Sequence, residues 1–144
     1  MFKSLILSGK FKEAREMAEK MTVNELTDSL LELAYETDGM MAYTFVNYLI
    51  CSAGEDSDLH YLASLLLSQP LCHFDGAYKA ALYHARKALE LSSNDTDLKV
   101  YLLFFHDIPD KLVSKEEAVR LAQDILIDDP ENQIAKRILH DYGY

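Results

Sequence analysis

A chain of 144 residues, 49% of them apolar, is long enough to bury one substantial core. Its formal net charge of −10 excludes nucleic acid as a partner, because phosphate binding needs clustered Lys and Arg. The longest apolar run, residues 40–53, is broken by Thr44 and Asn47 and is too short for a bilayer span, while "MFKSLILSGKFKEA" returns to charge too soon for a secretory leader.

These features predict a single domain over 1–144, with a cytoplasmic address and no membrane partner. Cys51 and Cys72 have neither CxxC spacing nor enough company for a disulfide framework, so they read as reduced, buried small apolar residues.

In chain order, the pattern predicts a short turn at 2–8 and then a helix at 10–21, on which Ala14, Ala18 and Met21 recur at i, i+4 and i+7. Thr22-Val23-Asn24-Glu25 reads as a capping box, in which the hydroxyl and the carboxylate satisfy free amides reciprocally, and it opens a helix at 24–36. Helices at 40–53, 57–69 and 76–92 follow. Asn94, ahead of Asp95 and Asp97, opens 95–107. Ser114-Lys115-Glu116-Glu117 is a second capping box and opens 114–128, and Asp129-Pro130, with proline at the favoured first position, opens 131–141. Nothing alternates as a strand, and the five Gly and three Pro fall between helices, so the fold class expected is all-α.

The stretch Gly76–Asp95, "GAYKAALYHARKALELSSND", is echoed 37 positions later by "VSKEEAVRLAQDILIDDPEN". Aligned, Ala81, Ala85 and Ala88 match Ala118, Ala122 and Ile125, and "GKFKEA" near the start matches "GAYKAA". Gly9, Gly39, Gly76 and Val113 form a ladder with steps of 30, 37 and 37 residues, the period of helix-pair repeats. "YKAALYHARKALELSSN" resembles the second helix of a tetratricopeptide repeat, and "EEAVRLAQDILIDDPEN" resembles it more closely through Pro130 and Asn132. The resemblance is clear over 76–132 and implies a right-handed α-solenoid of about four helix pairs, with first helices lining a concave, protein-binding surface and no catalysis.

The charge is unevenly placed. Residues 21–78 contain no Lys or Arg against nine acids: Glu25, Asp28, Glu32, Glu36, Asp38, Glu55, Asp56, Asp58 and Asp75. On the helix at 24–36, Glu25, Asp28, Glu32 and Glu36 fall within about 80° of one another, opposite Leu26, Leu30 and Leu33. Each like-charge pair at i, i+4 costs about 0.2–0.5 kcal/mol in an isolated helix, and no cation within the segment offsets it.

In the solenoid register this stripe faces the concave side with Tyr35, His60, Tyr61 and Ser64 as neighbours. Asp56 and Asp58 extend the acidic surface, although "EDSD" also reads as a solvated, helix-capping loop.

Catalytic and metal readings find less support. Cys72, His73 and His84 complete no zinc spacing, His60, His106 and His140 are scattered singly, and no nucleophile elbow, phosphate loop or EF-hand occurs. Tyr142 and Tyr144 read as a frayed tail.

The expectation is therefore a non-enzymatic protein-binding module without cofactor or metal. Its partner-binding residues are Glu25, Asp28, Glu32, Tyr35, Glu36, Asp56, Asp58, His60 and Tyr61. The most specific form of this expectation is an immunity or antitoxin-type protein neutralising a basic toxin such as a nuclease domain. The alternative is an adaptor or co-chaperone module holding a peptide tail, with basic anchors from Lys79, Arg86 or Lys99.

Overall fold

Helix starts in this chain are set by side-chain oxygens that take up the free amides of a first turn. Thr22 and Glu25 form the full capping box, Thr22 Oγ1 accepting from the Glu25 amide at 3.1 Å and the Glu25 carboxylate accepting from the Thr22 amide at 3.4 Å. Asp56, Asp95, Ser114 and Asn132 each accept from the amide three residues on.

The computed structural model describes residues 1–144 as nine helices with no strand. These are α1 (Phe2–Leu7), α2 (Phe11–Ala18), α3 (Val23–Thr37), α4 (Met41–Ala53), α5 (Ser57–Ser68), α6 (Ala77–Leu91), α7 (Thr96–Asp107), α8 (Lys115–Asp128) and α9 (Gln133–Asp141).

Several starts and stops differ from the sequence reading for identifiable reasons. The cap of α7 is Asp95, not Asn94. Pro130 sits in a turn ahead of α9, which Asn132 caps. Ser114 caps α8, but the carboxylate of Glu117 does not close a box, because it is taken by the guanidinium of Arg86. Helix α2 stops at Ala18: Met21 lies in a turn, because Thr22 must be extended to cap α3. Gly9 and Gly76 have positive φ just before α2 and α6, whereas at the Gly39 rung it is Asp38 that adopts the left-handed conformation, as the C-cap of α3.

Backbone contacts divide the chain into two compact units, Met1–His84 and Ala85–Tyr144, with the boundary inside α6. In the first unit, α3 packs against α1, α4 and α5, α1 against α2 and α4, and α4 against α2 and α5. The core gathers Ile6, Leu30, Leu33, Phe45, Val46 and Leu66, all essentially inaccessible, with Phe2 set edge-on to Phe45 at 5.8 Å. In the second unit, α7, α8 and α9 pack against one another around Leu102, Leu103, Phe105, Ile125 and Ile138.

The recurring small residues are buried throughout: Ala14 and Ala18, then Ala81, Ala85 and Ala88, then Ala118, Ala122 and Ile125. No helix is long and apolar enough to cross a membrane.

The cysteines depart from expectation, since both are free and exposed. Cys51 lies on the side of α4 opposite the buried Ala42, Phe45 and Leu49, and Cys72 lies in the loop after α5.

Candidate partner-binding surface

The amphipathic pattern of α3 sets the geometry of the acidic stripe. Leu30, Leu33 and Ala34 turn into the core, leaving Glu25, Asp28, Glu32 and Glu36 exposed on the opposite face with Tyr35 63% accessible. The four carboxylates are not equivalent. Lys3 reaches over from α1, its Nζ 3.1 Å from Glu32 Oε2 and 3.3 Å from Glu36 Oε1. Burial pulls the lysine pKa down, but the hydrogen bonds and charge attraction of Glu32 and Glu36 together raise it above its ordinary value. Glu25 is committed to the capping box, and Asp28 pairs with no cation.

Thus the offsetting charge that residues 21–78 lack comes from about thirty positions upstream. It offsets one of the two charges in the C-terminal half of the stripe and leaves the N-terminal half without a cation.

Helix α5 packs against α3 and brings Asp56 and Asp58 to that open half. With Val23, Leu26, Thr27, Leu59 and Leu62 they line a small cleft of about 160 Å³. Asp56 Oδ1 is 3.0 Å from the Leu59 amide that it caps, and Asp58 lies in the first turn of α5, where the helix dipole favours an anion. Tyr61 is half-buried on α5.

His60 and Ser64 do not join this surface. Both are buried on the opposite side of α5, with Ser64 Oγ donating to the Ala81 carbonyl at 2.7 Å.

His60 instead belongs to a buried polar chain. Its Nε2 contacts the Glu55 carboxylate, its Nδ1 lies 2.9 Å from Nδ1 of His84, and His84 Nε2 lies 2.9 Å from the Tyr43 hydroxyl. With Glu55 ionised and both rings neutral, Tyr43 O–H donates to His84, His84 Nδ1–H to His60 and His60 Nε2–H to Glu55; with His60 protonated, the His60–His84 and His84–Tyr43 bonds run the other way. Burial, reinforced by His60 and opposed by Glu55, pushes the pKa of His84 down to about 4.

A second buried histidine, His106, donates from Nδ1 to the Val113 carbonyl at 2.9 Å and accepts from the Tyr142 hydroxyl at 2.7 Å. Tyr142 is therefore docked rather than frayed, with the Lys115 ammonium 5.0 Å above its ring, whereas Tyr144 is exposed.

The pairing of His60 with His84 left one signal in the sequence. His84 stands three residues after Ala81 and one before Ala85, on the buried side of α6, where a polar residue needs a buried partner. Cys72 and His73 are exposed and His84 is buried, so the structure does not gather these three residues. His73 pairs instead with Asp38 at 2.9 Å. No group of three or more His, Cys, Asp or Glu side chains is placed to hold a metal ion.

No protein-family model matches the chain, and no curated protein matches it in sequence.

Proposed function

We propose that this chain is a non-enzymatic, tetratricopeptide-like protein-binding module that offers the N-terminal ends of α3 and α5 to a basic protein partner. In its most specific form it is an immunity or antitoxin-type inhibitor covering a basic toxin surface, such as that of a nuclease domain.

The observation that carries this reading is a set of carboxylates paired with no cation at the N-terminal ends of α3 and α5: Asp56 and Asp58 on an apolar-floored cleft, and exposed Asp28 on the adjoining helix α3. Complementary potential of this kind raises association rates and penalises like-charged competitors. The repeat reading draws support from packing within each unit, where alternate helices touch as they do in stacked helix pairs: α1 with α3, α3 with α5, and α7 with α9.

The test is affinity capture from the native cytosol with the wild-type chain and an Asp28→Lys/Asp58→Lys variant, followed by stopped-flow association of the retained protein. These two aspartates neither close a cap nor bind Lys3, so reversing them leaves α1 and α3 anchored. Loss of the partner in the variant, together with an association rate that drops steeply with ionic strength, supports the reading. Equal retention by both forms, or a rate insensitive to salt, removes it.

One observation favours the adaptor alternative. In the second unit a groove of about 400 Å³ has Leu89, Leu102 and Leu121 in its walls and Lys99 and Arg86 at its edge. Arg86 is bound by Glu117, so Lys99 is the cation available to a peptide carboxylate. Preference for a free over an amidated peptide C-terminus, lost in Lys99→Ala, would select this reading.

A further inference from the structure

Helices α5 and α6 meet along a polar seam. His60, Ser64 and Ser68 recur at i, i+4 and i+8 on α5, and all three are buried. From α6, Ala81 and His84 meet this stripe: Ser64 Oγ donates to the Ala81 carbonyl at 2.7 Å, and Nδ1 of His60 lies 2.9 Å from Nδ1 of His84. The other buried residue in this half of α6, residues 77–84, is Ala77. Alanine methyls bury little apolar area, so the polar contacts carry a large share of what holds 77–84 against α5.

The chain of Glu55, His60, His84 and Tyr43 closes in two proton states. With both rings neutral, every donor points toward Glu55. With His60 protonated, His60 Nδ1–H donates to His84 and His84 Nε2–H donates to the Tyr43 oxygen, so each bond survives while the His84 proton moves from Nδ1 to Nε2. The first proton falls to His60, because a carboxylate touches that ring whereas a hydroxyl touches His84. A second proton has no such arrangement. It would set N–H against N–H across the 2.9 Å contact and place two positive rings with centroids 5.2 Å apart. Burial first, and then the charge of His60, push the pKa of His84 down to about 4.

The other titratable groups around the pair are accounted for. Tyr83 lies edge-on to His84 at 5.1 Å, and Tyr48 of α4 stacks on Phe45. The acids of α3 stand on its exposed face, and Asp56 and Asp58 line the cleft toward that helix. Tyr61 and Tyr78 are half-buried on α5 and α6 themselves, Lys79 is exposed, and Lys87, one turn beyond His84, pairs with Glu90.

We infer that this chain is a two-step proton latch between α5 and α6: the first proton, on His60, reverses its hydrogen bonds and leaves it closed, and the second, on His84, opens it and frees residues 77–84 from α5. The latch lies within the first unit and does not depend on the partner-binding reading.

The test follows the isotope-labelled intact chain by NMR from about pH 8 down to about pH 3. Ring-nitrogen shifts report the tautomer and charge of each histidine, NOEs between Ser64 and Ala81 report the closed latch, and NOEs between Phe2 and Phe45 report the core. In the first step His60 is expected to become an imidazolium while His84 stays neutral and exchanges its Nδ1 proton for one on Nε2, with all NOEs intact. In the second, His84 charges and the Ser64–Ala81 NOEs are lost while the Phe2–Phe45 NOEs persist. His84→Gln keeps a polar partner for His60 but cannot charge, and should hold the Ser64–Ala81 NOEs through the pH at which the wild type loses them. If that variant does not fold, the wild-type titration alone decides. The inference is overturned if His84 charges before His60, if it keeps its Nδ1 proton when His60 charges, or if either ring stays neutral throughout. It is equally overturned if the Ser64–Ala81 NOEs outlast the charging of His84, if the Phe2–Phe45 NOEs vanish in the same step, or if folded His84→Gln opens at the wild-type pH.

Discussion

His60 and His84 face each other through their Nδ1 atoms at 2.9 Å, so one of the two nitrogens carries the proton and the other accepts it. A second proton on that contact would set N–H against N–H. The groups surrounding His84 are His60 from α5, Glu55 ahead of α5, Tyr43 from α4 and Tyr83 on its own helix.

With its folded pKa pushed down to about 4 against roughly 6.5 when unfolded, His84 makes the unfolded chain the better proton acceptor between those values. Stability is then fully present above about pH 6.5 and declines as the pH falls toward 4, by up to about 3 kcal/mol from this one group. Urea midpoints at about pH 7.5 and about pH 4.5 should differ more in the wild type than in His84→Gln. Parallel behaviour of the two proteins would mean that His84 does not govern the acid limb.

The Arg86–Glu117 pair makes a different pH signature. The guanidinium donates two bonds, at 2.5 and 2.9 Å, to the two carboxylate oxygens. This holds Glu117 below the usual carboxylate range against the opposing effect of burial. Its stabilisation is present above the unfolded carboxylate pKa and fades as the pH drops through the depressed value. Because the Arg86 side chain is 41% exposed, solvent screening limits the pair to about 1 kcal/mol. A double-mutant cycle with Arg86→Ala and Glu117→Ala should return a coupling energy of that size. A value near zero would make the contact incidental, and one above about 3 kcal/mol would mean that it behaves as a fully buried pair.

Helices α2 to α9 were legible because each carries a local signal, a cap, a break, or a stripe at i, i+4, i+7, whereas 2–8 was read as a short turn and is helix α1. What the sequence hid are contacts between residues far apart in it. Lys3 reaches Glu32 and Glu36 across about thirty positions, and no local count of charge around α3 could include it. Glu117 had two partners open to it, the Ser114 amide and a guanidinium on another helix. The charge-assisted bidentate bond prevailed. His60 was assigned to the open face because its helix position was read with the wrong side outward, and the deciding fact, His84 on the facing side of α6, lies 24 residues away. Cys51 failed for a simpler reason: a cysteine inside an apolar run still obeys the helix angle, which turns it to solvent.

The docked Tyr142 supplies a third prediction. Its hydroxyl satisfies buried His106 at Nε2, while Nδ1 of the same ring is occupied by the Val113 carbonyl. Tyr142→Phe keeps the ring and the Lys115 contact but leaves a buried acceptor unpaired, which should cost about 1–3 kcal/mol. Tyr144→Ala removes an exposed side chain and should stay within about 0.5 kcal/mol. Chemical denaturation of the two variants side by side checks this. Equal effects would show that the tail is held by its apolar packing and not by the hydroxyl.

The last prediction concerns what holds α1 in place. Two kinds of contact tie this six-residue helix down: the exposed ion pairs of Lys3 with Glu32 and Glu36, and the burial of Phe2 and Ile6, with the Phe2 ring edge-on to Phe45. An exposed pair gains little once side-chain entropy and screening are counted, whereas truncating a buried aromatic typically costs about 3–5 kcal/mol. Lys3→Gln should therefore change hydrogen exchange of the α1 amides by no more than a few-fold, and added salt should have as little effect on the wild type. Phe2→Ala should release those amides to near-unprotected exchange while leaving α5 protected, because a terminal element can open without the rest. If Lys3→Gln frees α1 as fully as Phe2→Ala does, the lysine clamp on α3 is the main tie, and the C-terminal half of the acidic stripe serves to anchor the N-terminus.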